Sequence, residues 1–407
     1  MDTIQNLIDL KRLPKMKILL IHNYYQEYGG EDREYENEVE LLRKRGHDVV
    51  EFTANNTMAS EFSFGQWLTL PKNIIWSRET MKNLRAVLER EKPDIAHIHN
   101  TFFILSLSVY SVCKEFGIPI VQTIQNFRMF CASANFLRKE FICEDCAKAQ
   151  FALPSIIHRC YHNSFPKTAA VASMISFHRS RKTWDAYVTL FIVVTEFIKN
   201  KFIEYGLDAH KLIIKPNFVE EDSGEGKRSG GYALFVGRLH EEKGVKTLLD
   251  ACAKVKHIPV KLVGDGPLYD YLCERVAANE ITNVTIIGKC RKEEVLAWMK
   301  DAQFLIIPSE WYEGLPLTLV EAFSFGIPIL ASRIGSLENL IDNETNGLLF
   351  RAGDSCDLAQ KMELIWSNQT LARDLGRKAR KTYLELYTAE ANYLLLMRIY
   401  NMAIERN

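Results

Sequence analysis

Two glutamates with seven residues between them, Glu313 and Glu321, interrupt the stretch Pro308–Gly326, PSEWYEGLPLTLVEAFSFG. Glu313 falls in a small loop after a buried strand. Glu321 falls inside a nearly all-apolar helix, flanked by Leu317, Leu319, Val320, Ala322 and Phe323. An ionised carboxylate is costly to bury without a partner, so Glu321 needs one. The loop and first helical turn also offer free backbone N–H groups from Gly314, Leu315, Leu317 and Thr318. Pro316 has none to give, and the first turn is where that loss matters least. A helix N-terminus of this kind suits an anion such as phosphate. The stretch therefore reads as a site in which carboxylates hold hydroxyls and a helix end holds phosphate. The plainer reading is a capped core helix whose acid is bridged to a buried arginine.

Other residues fall where a ligand would meet them. Gly237-Arg238-Leu239 ends a strand, and Glu241-Glu242-Lys243-Gly244 opens the next helix. Arg238 supplies a planar fork of donors and Lys243 a point charge, and both suit a diphosphate. Isolated, they would be two solvated surface bases. Gly264-Asp265-Gly266-Pro267 is a tight turn after a strand, and Gly288 ends another. His97 and His99 lie two apart on a strand and share a face. Gly29-Gly30 follows the first strand. No D-x-D pair occurs anywhere in the sequence, which favours catalysis by bases and a helix dipole over a metal held by paired acids.

These residues need rigid elements to position them. A chain of 407 residues is too long for one ordinary core and implies two domains. Short apolar runs such as Lys17–His22, Ile118–Ile124, Leu190–Val194, Phe304–Ile307 and Ile327–Ala331 alternate with helical stretches. That rhythm is the pattern of mostly parallel sheets covered on both faces. The dinucleotide fingerprint G-x-G-x-x-G is missing after the first strand, which weakens a dehydrogenase reading. Glu220–Gly231 (EEDSGEGKRSGG) is polar and glycine-rich and marks the linker. The expected organisation is an N-terminal domain over 16–219, a linker over 220–231, a second domain over 232–385, and a terminal helix over 386–407 that docks on the first domain. In open sheets, ligands sit beyond the carboxyl ends of strands, where the residues above fall.

Taken together and in order, FVGRLHEEKG, LVGDGP, Gly288 and the Glu313/Glu321 pair resemble the donor domain of retaining nucleotide-sugar glycosyltransferases of family 4, which have the GT-B fold. The first half is similar too, through Gly29-Gly30 and His99 in HIHN. QTIQNFRMFC, HRCYHNS and KPNFV resemble one bacterial branch with a cysteine-bearing insertion. The resemblance implies two Rossmann-like α/β domains facing each other across a cleft. It implies that Glu321 holds ribose hydroxyls, Glu313 the donor sugar, and Arg238 and Lys243 the diphosphate, helped by N–H groups near Leu317 and Thr318. Gly29 and Gly30 would let the first domain close over the phosphates, and His99 would sit beside the sugar. Gly237, Gly264, Gly288, Gly314 and Leu315 complete the expected donor site. The donor would be a UDP- or GDP-sugar and the acceptor a glycan or lipid-linked hydroxyl, in cell-surface polysaccharide synthesis. Two departures stand out: Glu31-Asp32 follow the double glycine where a small residue is usual, and Gln125 stands where relatives often carry histidine.

Rival readings are an epimerase on the same fold and a non-catalytic binding protein. Lys plus Arg equals Asp plus Glu, 51 each, which speaks against a general nucleic-acid binder. Residues 1–15 carry no signal-peptide pattern, and Ile4, Leu7 and Ile8 suit a short amphipathic helix. Nine cysteines in such a chain point to a reducing, cytoplasmic setting. Within the insertion over 125–166, Cys143 and Cys146 have short metal-ligand spacing, and Cys131 and Cys160 flank them. The four read as a structural zinc site or as free, partly buried thiols. Lys167, His178, Arg179, Arg181 and Lys182 crowd an expected helix over 167–187. That helix suits peripheral contact with the inner membrane face, or is simply a solvated face over a core face.

Overall fold

A computed structural model of the chain describes residues 14–57, 64–278 and 281–407. The amphipathic helix expected around Ile4, Leu7 and Ile8 lies outside the described residues. The short apolar runs pair into two six-stranded sheets in which all pairings are parallel. The first runs, edge to edge, Asp48–Asn55, Lys17–Tyr24, Ile95–Asn100, Ile120–Ile124, Leu190–Val193 and Leu212–Ile214. The second runs Val284–Gly288, Val260–Val263, Ala233–Val236, Phe304–Ile307, Ile329–Ser332 and Gly347–Phe350. Central strands such as Ile120–Ile124 and Phe304–Ile307 are buried along their whole length. This is why they read as unbroken apolar runs and not as alternating ones.

Each sheet has one place where successive connections leave in opposite directions. In the first it lies between Lys17–Tyr24 and Ile95–Asn100, and in the second between Ala233–Val236 and Phe304–Ile307. A crevice opens at the carboxyl end of such a switch point. The two crevices face each other. Asn217 donates to the Leu315 carbonyl at 3.2 Å, Thr195 and Ser336 hydroxyls meet at 2.9 Å, and the Phe197 and Tyr312 rings lie 4.7 Å apart.

The linker lies along the second domain, with Gly226, Arg228 and Gly230 N–H groups bonded to Phe325, Lys300 and Asp301 carbonyls. The chain crosses between domains twice, side by side, where Val219 bridges Thr388. The last helix, Ala389–Glu405, then packs Leu396, Met397, Tyr400 and Ala403 against Ile18, Leu20 and Leu42 of the first domain. Full burial of side chains such as Leu396 and Met397 stabilises by about 1.5–3 kcal/mol each. Polar ties fix the helix in register: His47 to the Tyr393 hydroxyl at 2.9 Å, His97 to the Tyr400 hydroxyl at 2.8 Å, and Lys215 to Asn392 at 3.2 Å.

The helical stretch expected over 167–187 is two helices, Phe165–Ser180 and Thr183–Tyr187, broken at Lys182 in the left-handed region. The helix Phe64–Ile75 precedes the helix Arg78–Glu91. The expected basic face is also incomplete. His178 is buried and meets the Ile75 carbonyl at 3.0 Å, and Arg179 donates inward to the Cys146 and Ala147 carbonyls.

One buried acid in the helix Gly30–Lys44 has no hydrogen-bond partner on either oxygen. Burial, and then the neighbouring Glu38, push Glu34 up to about 8, against the pull of Lys215 and Arg33. Its ordinary value is 4.5, so between these values the folded protein holds a proton that the unfolded chain releases. This contribution to stability is complete below the lower value and is lost as pH rises through the higher one. Glu34→Gln is expected to flatten the profile and to melt above the parent protein at about pH 9 in thermal scans. Identical profiles would show that Glu34 is hydrated.

Candidate active site

The second domain's crevice is walled by the turn Glu241–Lys243 and by the loop after Phe304–Ile307. Gly244 has φ +66°, and a Cβ there would stand 1.8 Å from the Pro308 carbonyl oxygen, so the two walls touch through this glycine. The contact sets Lys243 over the loop. Its Nζ lies 2.6 Å from Glu313 Oε1, which also accepts from Ser309 Oγ at 2.6 Å, and it sits 5.1 Å above the Trp311 ring. Burial alone would raise the Glu313 carboxyl, but Lys243 and Ser309 outweigh it and hold the group below its usual range. Glu313 is therefore an ionised, buried acceptor with a cation beside it. Arg238 does not join the pair. Its side chain is 63% exposed and leans on Glu242 at 3.4 Å, at the rim. Gly264, at φ +150°, packs against the Gly237 carbonyl, where a Cβ would clash at 1.8 Å. Gly288, at φ +84°, closes its strand beside Tyr269.

Glu321 lies in the helix Leu317–Ser324, 3% exposed, and its carboxylate reaches across the cleft. Arg33 Nη2 of the first domain meets Oε1 at 2.7 Å. The arginine side chain is 27% exposed, so the partner is a cleft residue and not a core base. Burial raises the Glu321 carboxyl, and Arg33 and then Lys292 oppose the rise. At the start of this helix, the N–H groups of Gly314, Leu315, Leu317 and Thr318 make no backbone hydrogen bond, and Leu319 is the first to do so, to Pro316. Gly314 faces the first domain, where a Cβ would stand 3.1 Å from the Gln125 carbonyl.

Glu321 binds hydroxyls best as a carboxylate, so binding of a hydroxylated ligand weakens as pH falls through its raised range. Arg33→Ala removes the main cation opposing burial and raises the group further. The acid limb of nucleotide binding, followed by calorimetry, is expected to move to higher pH in this variant. Superimposable profiles would show that Arg33 does not govern Glu321.

The first domain supplies the opposite wall. Gly29 is the extended cap of Gly30–Lys44, and Asp32 accepts from Gly29 N at 2.9 Å and Tyr25 N at 3.2 Å while meeting His22 Nε2 at 2.8 Å. Asp32 is thus spent on the cap. A Cβ would fit at Gly29 and meets nothing at Gly30, so the double glycine leaves its wall of the cleft open. Glu31 accepts from the Tyr25 hydroxyl and from Asn126, both at 2.9 Å, and lines a small cavity with His99, Thr101, Gln125 and Arg128. His99 is buried, and burial followed by neighbouring His97 lowers it to about 4, so it is neutral at pH 7. Its Nε2 lies 3.1 Å from Glu38, and its Nδ1 has no partner.

Among the described residues, one group of His, Cys, Asp or Glu is close enough to share an ion: Glu38, His97 and His99. Lys215 Nζ already sits 3.0 Å from Glu38 and supplies the positive charge there. Cys131, Cys143, Cys146 and Cys160 are free and form no such group. Burial, then the neighbouring Cys131, push Cys146 and Cys160 up to about 11, so these thiols hold their protons at neutral pH. Cys131, Cys143 and Cys146 all act on the Cys160 thiol, so the four cysteines lie near one another.

Sequence reasoning missed Arg33 and Lys292. Arg33 stands three residues after Gly30, on a helix too highly charged for one base to stand out; Lys292 opens the helix after Gly288. The chain has the two-domain GT-B fold. An Anabaena protein solved in complex with UDP matches with a TM-score of 0.67 over 94% of this chain and 99% of that one, at 15% identity, a likeness of fold alone. A family model described as Glycosyltransferase Family 4 matches residues 28–138, and one described as Glycosyl transferases group 1 matches residues 220–382. The chain belongs to glycosyltransferase family 4. It is 30% identical to a D-rhamnosyltransferase of Pseudomonas aeruginosa over 47% of this chain and 50% of that protein. It is 27% identical to an O-antigen chain mannosyltransferase of Escherichia coli over 43% and 47%. The chain spans about half the length of the curated relatives it matches.

Proposed function

We propose that this protein moves a sugar from a nucleoside-diphosphate sugar to a hydroxyl of a glycan or lipid-linked acceptor, with retention of anomeric configuration, in polysaccharide synthesis. The observation that carries the reading is Glu321, a buried carboxylate turned into the interdomain cleft beside an open helix N-terminus. Glu321 takes the ribose hydroxyls, displacing Arg33. The N–H groups from Gly314 to Thr318 receive the diphosphate. Lys243 stands where negative charge develops as the diphosphate leaves, and Arg238 can swing from the rim to join it. Glu313 accepts from the donor sugar's hydroxyls, its charge kept by Lys243 and Ser309. Fixed donors and cations aimed at a leaving oxyanion commonly supply a few kcal/mol each, about 3–4. Neutral His99 lines the neighbouring cavity, where the sugar or acceptor would lie. A UDP donor is favoured by the Anabaena neighbour, and a polysaccharide setting by the rhamnosyl and mannosyl relatives.

Incubation with a panel of UDP- and GDP-sugars, with and without saccharide acceptors, tests the reading. Transfer that needs the acceptor and keeps the anomeric proton coupling of the donor is expected by NMR. Conversion of donor alone into an isomer would instead identify an epimerase, and binding without turnover a non-catalytic protein.

A further inference from the structure

Charge is balanced over the whole chain but not along it. Residues 146–182 hold no Asp or Glu, although 51 acids in 407 residues would place about four or five in a stretch of that length. The segment carries Lys148, Arg159, Lys167, Arg179, Arg181 and Lys182. Arg179 is turned inward and Lys148 leans on Glu144, but Arg159, Lys167, Arg181 and Lys182 are exposed and form no ion pair among the described residues.

Apolar exposure concentrates in the same place. Of the eight large apolar side chains more than half exposed among the described residues, four lie within this stretch, Phe151, Leu153, Ile157 and Phe165. Leu153 and Ile157 stand four apart and so share the outer face of the helix Leu153–His158. Ser155 is buried on the opposite side, where this helix packs on Phe165–Ser180. Leaving so many apolar side chains in water within one short region marks an interaction surface.

We propose that this subdomain docks on an anionic lipid bilayer, inserting Leu153, Ile157 and their exposed aromatic neighbours at headgroup depth while Arg159, Lys167, Arg181 and Lys182 meet lipid phosphates. The pairing of protruding apolar tips with unpaired cations, and the absence of acids between them, is the chemistry of an interfacial anchor. No described helix is long and apolar enough to cross a membrane, so the contact is peripheral. The surface belongs to the same domain as the cavity lined by Glu31 and His99, and docking would bring a lipid-linked hydroxyl to that domain. The contact itself does not depend on the transferase reading, because it is read without turnover.

The full chain is tested by co-sedimentation with vesicles of phosphatidylcholine alone and of phosphatidylcholine with phosphatidylglycerol. Binding to the anionic vesicles only is expected, weakened by salt near 0.5 M, where the screening length falls to about 4 Å. Leu153→Glu with Ile157→Glu is expected to lower partitioning at least about thirtyfold by placing charge where apolar area inserted. Arg159→Glu with Lys167→Glu is expected to lower it by at least about fivefold per residue. All four side chains are exposed, and an unchanged thermal melt confirms that each variant is folded. Equal binding to both vesicle types, no binding to either, or binding unaffected by the Leu153/Ile157 pair would overturn the proposal. So would capture of an acidic protein or a soluble polyphosphate without vesicle binding.

Discussion

Glu321→Ala is expected to weaken nucleotide-sugar binding by roughly two orders of magnitude while leaving the melting temperature almost unchanged. Hydrogen bonds to a charged acceptor are worth about 1.5–3 kcal/mol each, and two ribose hydroxyls on one carboxylate give about 3 kcal/mol or more. The fold loses little, because the residue's main ion partner is Arg33, whose guanidinium can rehydrate in the cleft. Removing the carboxylate also relieves the burial that raises its pKa. Glu321→Gln keeps shape but not charge and should fall between the two. Calorimetry with the donor and a thermal melt on the same samples read both halves. Undiminished affinity would remove ribose from this residue, and a collapsed melting temperature would make the Arg33 contact a structural tie.

Lys243→Met is expected to reduce kcat by about 100- to 1,000-fold and also to destabilise the protein. The rate loss follows from removing a fixed cation at the leaving diphosphate. The stability loss has a different origin. Glu313 is buried, and without Lys243 it keeps only Ser309 of the two partners that donate to Oε1. Stranding a buried charge costs about 3–5 kcal/mol, less here because Lys243 is partly exposed. The sign with pH is fixed by the same pair. In the parent, the depressed Glu313 contributes stability that is present at neutral pH and lost as pH falls through its folded value. In the variant the carboxyl rises, so the deficit is largest at neutral pH and narrows in acid. Adding Glu313→Gln should recover stability but not rate. Recovery of both would place Lys243 outside the reaction.

Most strands were legible because both sheets are parallel and buried on two faces, which leaves an apolar run for central strands such as Ile120–Ile124 and Phe304–Ile307, though Ile95–Asn100 carries two histidines. Glu313, Glu321 and Lys243 were legible for a related reason: charged residues beside such runs must have a purpose. What the sequence hid were contacts between distant segments. Arg33 reads as one more charge on a charged helix until the domains are brought together. His178 and Arg179 read as a basic face because their acceptors, the carbonyls of Ile75, Cys146 and Ala147, come from other elements. Arg238 and Lys243 look equivalent in FVGRLHEEKG, yet the tight approach of Gly244 to Pro308 turns only Lys243 towards Glu313. The cluster of Glu38, His97, Lys215 and Tyr400 joins residues hundreds apart in sequence and serves to dock the last helix.

The interdomain cleft is the centre of this account, and one structure tests it: the protein bound to whichever nucleoside diphosphate raises its melting temperature most. Expected are ribose hydroxyls on Glu321 with Arg33 displaced, phosphate oxygens on the N–H groups from Gly314 to Thr318, and Lys243 within reach of the outer phosphate. A nucleotide bound elsewhere, with the Arg33–Glu321 contact intact, would contradict it.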